Sequence, residues 1–385
     1  MDSWKEGYLS EITEIVMGQS PSGSNCNNNG EGTPLLNGPT EFTNRYPLPV
    51  QYTTDVRKES QINDVLFCVR GSTTGRMNWS DRQYAIGRGL AAIRHIEGVE
   101  YKNFVKGILD YNLGYLLQSA TGSTFPNVSK NQLHKLEIVI PPLPEQKAIA
   151  EVFSSLDDKI DLLHRQNKTL EAMAETLFRQ WFVEEADESW EDGTLGDFGT
   201  VITGKTPSKK NPEHWGESFD FITPTDFKFF GMFTDRTGRK LSNDGWNRFV
   251  NIQLPVNSIL VTCIGSDMGK VAISSNSCVT NQQLNSIILN DVSNLGYVYQ
   301  HIKSKYNEIR SIAFGGTTMP IINKGDFSQI DIPIPPKKLI DKFQSYWSSL
   351  SDRIRFNQKQ IQTFNKLRDT LLPKLMSGEV RVKMN

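Results

Sequence analysis

No stretch of about 18 consecutive apolar residues occurs in the 385-residue chain, which predicts no transmembrane helix. The opening residues Met1-Asp2-Ser3-Trp4-Lys5-Glu6 form no apolar h-region, so no secretory leader is expected. Cysteine is scarce. Cys26, Cys68, Cys263 and Cys278 lie far apart with no C-x-x-C, which argues against a zinc ribbon or disulfide scaffold and fits a reducing cytoplasm. Surplus charge is missing too: the formal net charge is −1, which by itself says nothing for nucleic acid and weakly disfavours an indiscriminate polyanion binder.

Catalytic signatures are equally absent. The run Gly71-x-x-x-Gly75-Arg76 has one residue too few between its glycines for a phosphate-binding loop, and no Lys-Ser/Thr follows. No G-x-G-x-x-G opens a helix and no G-x-S-x-G elbow occurs. His95, His134, His164, His214 and His301 are scattered without H-x-E or H-E-x-x-H partners, so a metal site is not expected. Asp157-Asp158 and Glu184-Glu185 fall where helices are expected and read as solvated faces.

The chain instead repeats itself. At one offset Trp4, Gly7, Leu9, Gly18 and Pro21 fall on Trp190, Gly193, Leu195, Gly204 and Pro207. Further along, at a longer offset, Gly71, Gly75, Leu90 and Ile93 fall on Gly265, Gly269, Leu284 and Ile287. Leu156, Asp158 and Ile160 then fall on Leu350, Asp352 and Ile354. The change of offset implies a longer loop in the second half. A tandem duplication follows, globular–helical–globular–helical, with globular parts at 1–144 and 190–336 and helical parts at 145–189 and 337–385. Short apolar runs such as Val65–Val69 and Ser258–Ile264, punctuated by Gly, Asn, Ser and Thr, make the globular parts β-rich. The predicted class is α+β.

The helical parts carry a heptad seam. Apolar positions Ile149, Phe153, Leu156, Ile160, Leu163, Leu170, Leu177 and Trp181, with Asn167 and Ala174 inserted, alternate four and three. So do Phe343, Trp347, Leu350, Ile354, Asn357, Ile361, Phe364, Arg368, Leu371 and Leu375. The first segment carries 5 basic and 11 acidic residues, the second 11 and 4. Opposite charge predicts that the two helices pair with each other as an antiparallel coiled coil.

Loops rich in small polar and basic residues recur in both halves. Candidates in the first are Ser20, Ser22, Asn25, Arg70, Thr73, Arg76, Arg88, Thr124 and Asn127. In the second they are Lys205, Thr206, Ser208, Lys209, Lys210, Lys270, Asn281, Gln282, Thr317 and Thr318. Asn, Gln, Arg and Lys can read base edges, while hydroxyls and Gly-rich backbone suit phosphates. Ordinary turn chemistry uses the same residue types.

The segment Ile140-Pro-Pro-Leu-Pro-Glu-Gln-Lys-Ala-Ile-Ala150, followed by Leu156-Asp-Asp-Lys-Ile160 and Leu177-Phe-Arg-Gln-Trp-Phe182, resembles the central region of Type I restriction–modification specificity subunits. Thr203-Gly-Lys-Thr-Pro-Ser208, Gly265–Lys270 and Asn281-Gln-Gln283 resemble loops of their target recognition domains. The resemblance spans essentially the whole chain. It implies two target recognition domains, each reading half of a bipartite double-stranded DNA site. It implies helices that space the halves and dock two methyltransferase subunits, with restriction/translocase subunits joining. S-adenosylmethionine and the catalysis would belong to the partner, leaving this chain without a cofactor or activity. About 37 helical residues would span about 55 Å, an upper bound of about 16 base pairs. Pro335-Pro-Lys-Lys-Leu-Ile340 departs from Pro142-Leu-Pro-Glu-Gln-Lys147, so the Glu-Gln helix start is missing from the second copy. Gly87-Arg88 departs from Asn281-Gln282 and Gln19-Ser20 from Lys205-Thr206, which points to unlike half-sites. The alternatives are a specificity subunit of a stand-alone methyltransferase or of another phage-defence complex, or a coiled-coil adaptor that binds no DNA.

Overall fold

The structure is a computed structural model that describes residues 4–120, 126–208, 210–265, 268–314 and 321–382. The chain forms two compact units, one of residues 1–162 with 361–385, the other of residues 163–360.

In the first unit, β1 (Lys5–Tyr8) is followed by β2 (Thr13–Met17), β3 (Cys26–Asn27), β4 (Thr33–Leu36) and β5 (Gln51–Thr53). Then come β6 (Val65–Cys68), β7 (Met77–Trp79), β8 (Ala85–Ile86) and β9 (Leu90–His95). Helices α1 (Lys102–Tyr111), α2 (Leu113–Ser119) and α3 (Lys130–His134) precede β10 (Glu137–Ile140) and the long α4 (Leu143–Arg179). One four-stranded sheet has the order β2-β9-β6-β7, a second β3-β5-β4-β8, and β1 pairs with β10. The uninterrupted apolar run of β6 places it inside, with all four residues buried. Its alternate side chains feed two clusters, Val65 and Phe67 toward Phe104 and Ile108, Leu66 and Cys68 toward Tyr84 and Ile86.

The second unit repeats this plan. It contains α5 (Leu195–Phe198), β11 (Gly199–Thr203), β12 (Trp215–Gly216), β13 (Phe219–Ile222), β14 (Arg239–Leu241) and α6 (Asn243–Arg248). Next are β15 (Ile259–Thr262), β16 (Val271–Ile273), β17 (Cys278–Thr280) and β18 (Leu284–Leu289). Helices α7 (Leu295–Ser304), α8 (Tyr306–Phe314) and α9 (Lys324–Ser328) lead to α10 (Lys337–Met376). Its sheets run β11-β18-β15-β16 and β12-β14-β13-β17. In both units a parallel pair, β4–β8 or β13–β17, sits at the edge of the second sheet. The extra residues of the second half lie between β13 and β15 and include α6.

The two long helices pair antiparallel within each unit. In the first, Arg368 bonds Asp157 at 3.1 Å. Glu145, at the start of α4, receives Trp4 Nε1–H at 2.9 Å and the Arg381 guanidinium. Burial alone would raise the Glu145 carboxyl, but the Arg381 and Trp4 hydrogen bonds hold it below the usual carboxylate range. In the second unit Asn357 Nδ2–H donates to Asn167 Oδ1 at 2.9 Å, and the rings of Phe182 and Phe343 meet edge-on at 5.1 Å.

The seam residues Leu156, Ile160, Leu163, Ile354 and Ile361 are buried, while Phe364 is half-buried. Leu170, Leu177, Leu350 and Leu371 are partly buried against the cores. The heptad is kept at the start of α4 and along α10, with Ile149, Phe153, Phe343, Trp347 and Leu375 buried, but not at the end of α4. Beyond Ala174 the fully buried positions are Phe178 and Phe182, one residue later than expected, and Gln180–Glu184 close as a π-turn. An α-helix drifts about 20° per heptad away from a 3.5-residue repeat. Here the drift turns the helix end into the core beside Tyr297 and Phe343. The helix ends are core elements of their units. Acidic residues of α4 also face the globular parts: Arg45 pairs with Asp158 at 2.6 Å, and Lys303 with Glu171 at 3.5 Å.

His301 lies in the second core, its Nε2–H donating to the Asp331 carbonyl at 2.8 Å. Burial pushes its imidazole down to about 4 from an ordinary 6.5, so the folded unit holds it neutral. The unfolded chain takes up that proton first, so the stabilisation is whole above about pH 6.5 and fades toward pH 4. His301→Gln keeps an N–H for the carbonyl but cannot titrate. Urea midpoints at neutral and acid pH should show a shallower acid loss in the variant, by up to roughly 3 kcal/mol. Parallel loss in both proteins would place the titration elsewhere.

Candidate nucleic-acid interface

In each unit an edge strand of one four-stranded sheet, β2 or β11, ends in a glycine laid against a second loop. After β2, Gly18 N–H bonds the Leu90 carbonyl at 2.9 Å and Gln19 N–H the Ile86 carbonyl at 2.8 Å. A Cβ on Gly18 would lie 2.1 Å from the Gly87 carbonyl oxygen, so only glycine fits. After β11, Gly204 and Lys205 repeat the pattern with Leu284 and Thr280, and a Cβ on Gly204 would sit 2.2 Å from the Thr280 oxygen.

This approach brings two sequence candidates together in each unit. Ser20 Oγ accepts the Arg88 backbone N–H at 3.2 Å, and Thr206 Oγ1–H donates to Gln282 Oε1 at 2.6 Å. Arg88 and Gln282 occupy equivalent places, each just past the parallel strand β8 or β17. Of Arg70, Arg76, Arg82, Arg88 and Arg94, Arg88 alone has a guanidinium with no hydrogen bond or ion pair among the described residues. Arg76 bonds the Pro39 and Phe42 carbonyls at 3.1 and 2.6 Å, Arg70 bonds Asn127 at 3.1 Å, and Arg94 forks onto Asp64 at 2.8 and 2.7 Å. Arg82 pairs with Asp81 at 3.1 Å.

The other candidates are placed as follows. Ser22 bonds Ser24 and Asn25 bonds Asp55, so both belong to the short turn before β3. Thr73 lies in the β6–β7 turn, its Oγ1 3.9 Å from Cys68 Sγ. That turn explains Gly71 and Gly75, whose φ values of 93° and 91° are matched by 89° at Gly265 and Gly269. Lys270, half-buried, donates its backbone N–H to Thr262 Oγ1 at 3.0 Å. Lys205, Ser208 and Lys210 are exposed. Asn281 is only 7% exposed and its amide bonds Gln283, so it shapes the loop from inside, whereas Gln282 is exposed. Thr124, Lys209, Thr317 and Thr318 lie outside the described residues.

The sequence reading missed Asn37 and Gln51. Asn37 follows β4 and Gln51 opens β5; together with Ser20, Asn27, Asn28 and Arg88 they line a cleft of about 550 Å³. No local motif marks them, because the β4–β8 and β4–β5 pairings assemble them over long separations. Among the described residues no helix is long and apolar enough to cross a membrane, and no cluster of three potential ligands could hold a metal ion.

Twin polar platforms on a duplicated α+β scaffold, joined to long paired helices, define a recognition protein built from two like modules. The family model for the Type I restriction modification DNA specificity domain matches residues 1–172 and 187–364, and the chain belongs to that family. It is 26% identical over 469 residues to the HindI specificity subunit of Haemophilus influenzae, covering 99% of this chain and 100% of that one. It is 37% identical over 183 residues to the putative MjaX specificity subunit of Methanocaldococcus jannaschii, covering 44% and 43%. The crystal structure of a Type I restriction–modification S subunit from M. genitalium shares the fold, with TM-score 0.60 at 16% identity over 100% of this chain and 97% of that one.

Proposed function

We propose that this chain is the DNA-specificity subunit of a Type I restriction–modification complex, each globular domain reading one half of a bipartite, asymmetric double-stranded site. The observation that carries this reading is the family match falling twice, once on each half of the chain. The platforms are built alike and furnished differently, with Ser20 and Arg88 in one and Thr206 and Gln282 in the other. Such a pair suits a target whose halves differ. Exposed Lys205 and Lys210 would supply sequence-independent attraction to phosphates.

The paired helices space the half-sites and offer the docking surface for two methyltransferase subunits, to which restriction/translocase subunits are added. S-adenosylmethionine, the flipped adenine and the chemistry belong to those partners. This chain positions them and catalyses nothing, in the cytoplasm where the DNA is.

The test is a methylome. The chain is expressed with the methyltransferase encoded beside it, in a host lacking both, and modified adenine is mapped. A split motif, two short constant blocks around a fixed gap, is expected. Exchanging residues 1–144 for those of a relative should then change one block only. A purified complex that leaves the genome unmodified, or a swap that changes both blocks, would count against this reading.

A further inference from the structure

The cleft beside β4 and β8 contains a chain of hydrogen bonds that no core contact requires. Arg88 backbone N–H donates to Ser20 Oγ at 3.2 Å, Ser20 Oγ–H donates to Asn37 Oδ1 at 3.4 Å, and Asn37 Nδ2–H donates to Gln51 Oε1 at 3.1 Å. Asn37 and Arg88 are exposed, and Ser20 and Gln51 half-exposed. The chain leaves the second N–H of Asn37, both N–H groups of Gln51 and the whole Arg88 guanidinium without a partner among the described residues. The backbone beneath is fixed by close approach: a Cβ on Gly87 would lie 2.4 Å from Asn37 Oδ1, and one on Gly89 2.4 Å from the Asn37 carbonyl oxygen. Held donors and acceptors on a rigid floor are what base-edge reading needs.

The second unit supplies an independent comparison. Strand register makes Leu35, opposite Gln51, equivalent to Phe221, opposite Arg239, so Arg239 stands where Gln51 does and Thr223 where Asn37 does. The chemistry at these places differs completely. Thr223 Oγ1–H bonds the Asp226 carboxylate at 2.7 Å, and Arg239 lies 4.7 Å over the Trp215 ring. The scaffold is kept while these side chains change.

We infer that Asn37 and Gln51, acting with Arg88, are specificity-determining residues of the first domain. The two carboxamides would take adenine edges through paired donor and acceptor, and the Arg88 guanidinium a guanine edge, in the major groove. The assignment rests on the proposed reading of the chain as a DNA-specificity subunit, and it names the positions that choose the bases of one half-site.

The experiment uses the complex with its methyltransferase. Wild type, Asn37→Ala, Gln51→Ala and Arg88→Ala are compared by methylome and by methylation rates on duplexes with single base changes. In each variant one or two positions of the first block should relax, with discrimination falling about tenfold to a hundredfold. The second block and the gap should stay as in wild type. Equal loss on all sequences, a change in the second block, or no change at all would overturn the assignment. A second readout does not depend on variants. Cys26 lines the same cleft and is half-exposed, whereas Cys68, Cys263 and Cys278 are buried. Thiol alkylation followed by peptide mass spectrometry should therefore report Cys26, and a cognate duplex should protect it in the wild-type complex. An unprotected Cys26 in a complex that methylates its split motif would overturn this assignment alone. A wild-type complex that methylates no split motif would overturn the parent reading with it.

Discussion

Alanine at Gly204 should destabilise the second unit and blur the half-site it reads, leaving the other half-site unchanged. The reason is steric. The added Cβ would stand 2.2 Å from the Thr280 carbonyl oxygen, 2.3 Å from its hydroxyl and 2.4 Å from the Asn281 carbonyl oxygen. Two of these are backbone atoms, so no rotamer change relieves the clash. The loop bearing Lys205 and Thr206 must lift off the loop bearing Asn281 and Gln282. Forced overpacking of this kind costs about 1–3 kcal/mol. It also breaks the 2.6 Å bond between Thr206 and Gln282. Gly18→Ala should do the same in the first unit, where the Cβ would meet the Gly87 oxygen at 2.1 Å. Urea denaturation and a methylome of each variant check both parts. Relaxation of both blocks by one substitution would show that the platforms do not read independently.

These glycines also show how far the sequence could be read. Gly18 and Gly204 align in the repeat, as do Ser20 with Thr206 and Arg88 with Gln282, so one line of each platform was legible before any coordinate. The duplication transmits local pattern, and local pattern is what a sequence displays. Asn37 and Gln51 were not legible. They are joined to Ser20 and Arg88 only through the parallel β4–β8 pair and the β4–β5 register, and no short-range spacing encodes such pairings.

Charge alone leaves the use of a basic residue open. Arg76, exposed, sits in a repeated loop and suits a phosphate, and its guanidinium also donates to the Pro39 and Phe42 main-chain carbonyls. A basic residue satisfies buried acceptors as readily as it binds an anion, and composition cannot tell the two uses apart. The helices illustrate the same limit. The four-three alternation located the buried seam at Leu156, Ile160, Leu163, Ile354 and Ile361. It failed at Phe178 and Phe182, where the helix no longer faces only a partner helix and a straight 3.6-residue period takes over.

The polar break in that seam carries the last expected result. Asn167 and Asn357 are 8% and 0% exposed, and their amides meet at 2.9 Å. Asn357 Oδ1 is buried without a hydrogen-bond partner, so the pair is only partly satisfied. Replacing one member, Asn167→Leu, removes the acceptor for Asn357 and leaves its amide poorly paired in a dry seam. A loss of about 1–3 kcal/mol is expected. Replacing both with leucine removes the unsatisfied groups together, and stability should return to the wild-type value or exceed it. The double variant should lose something else. An Asn pair accepts only the register that brings the two amides face to face, whereas a continuous apolar seam accepts neighbouring registers and other chains. Size-exclusion chromatography should therefore show the double variant populating oligomers that wild type and the destabilised single variant do not. A double variant that stays as wild type in size but is less stable than either single would mean that the pair contributes to stability and not to register. The seam asparagines would then be structural glue, and the choice of partner would fall to flanking charges such as Asp157 and Arg368.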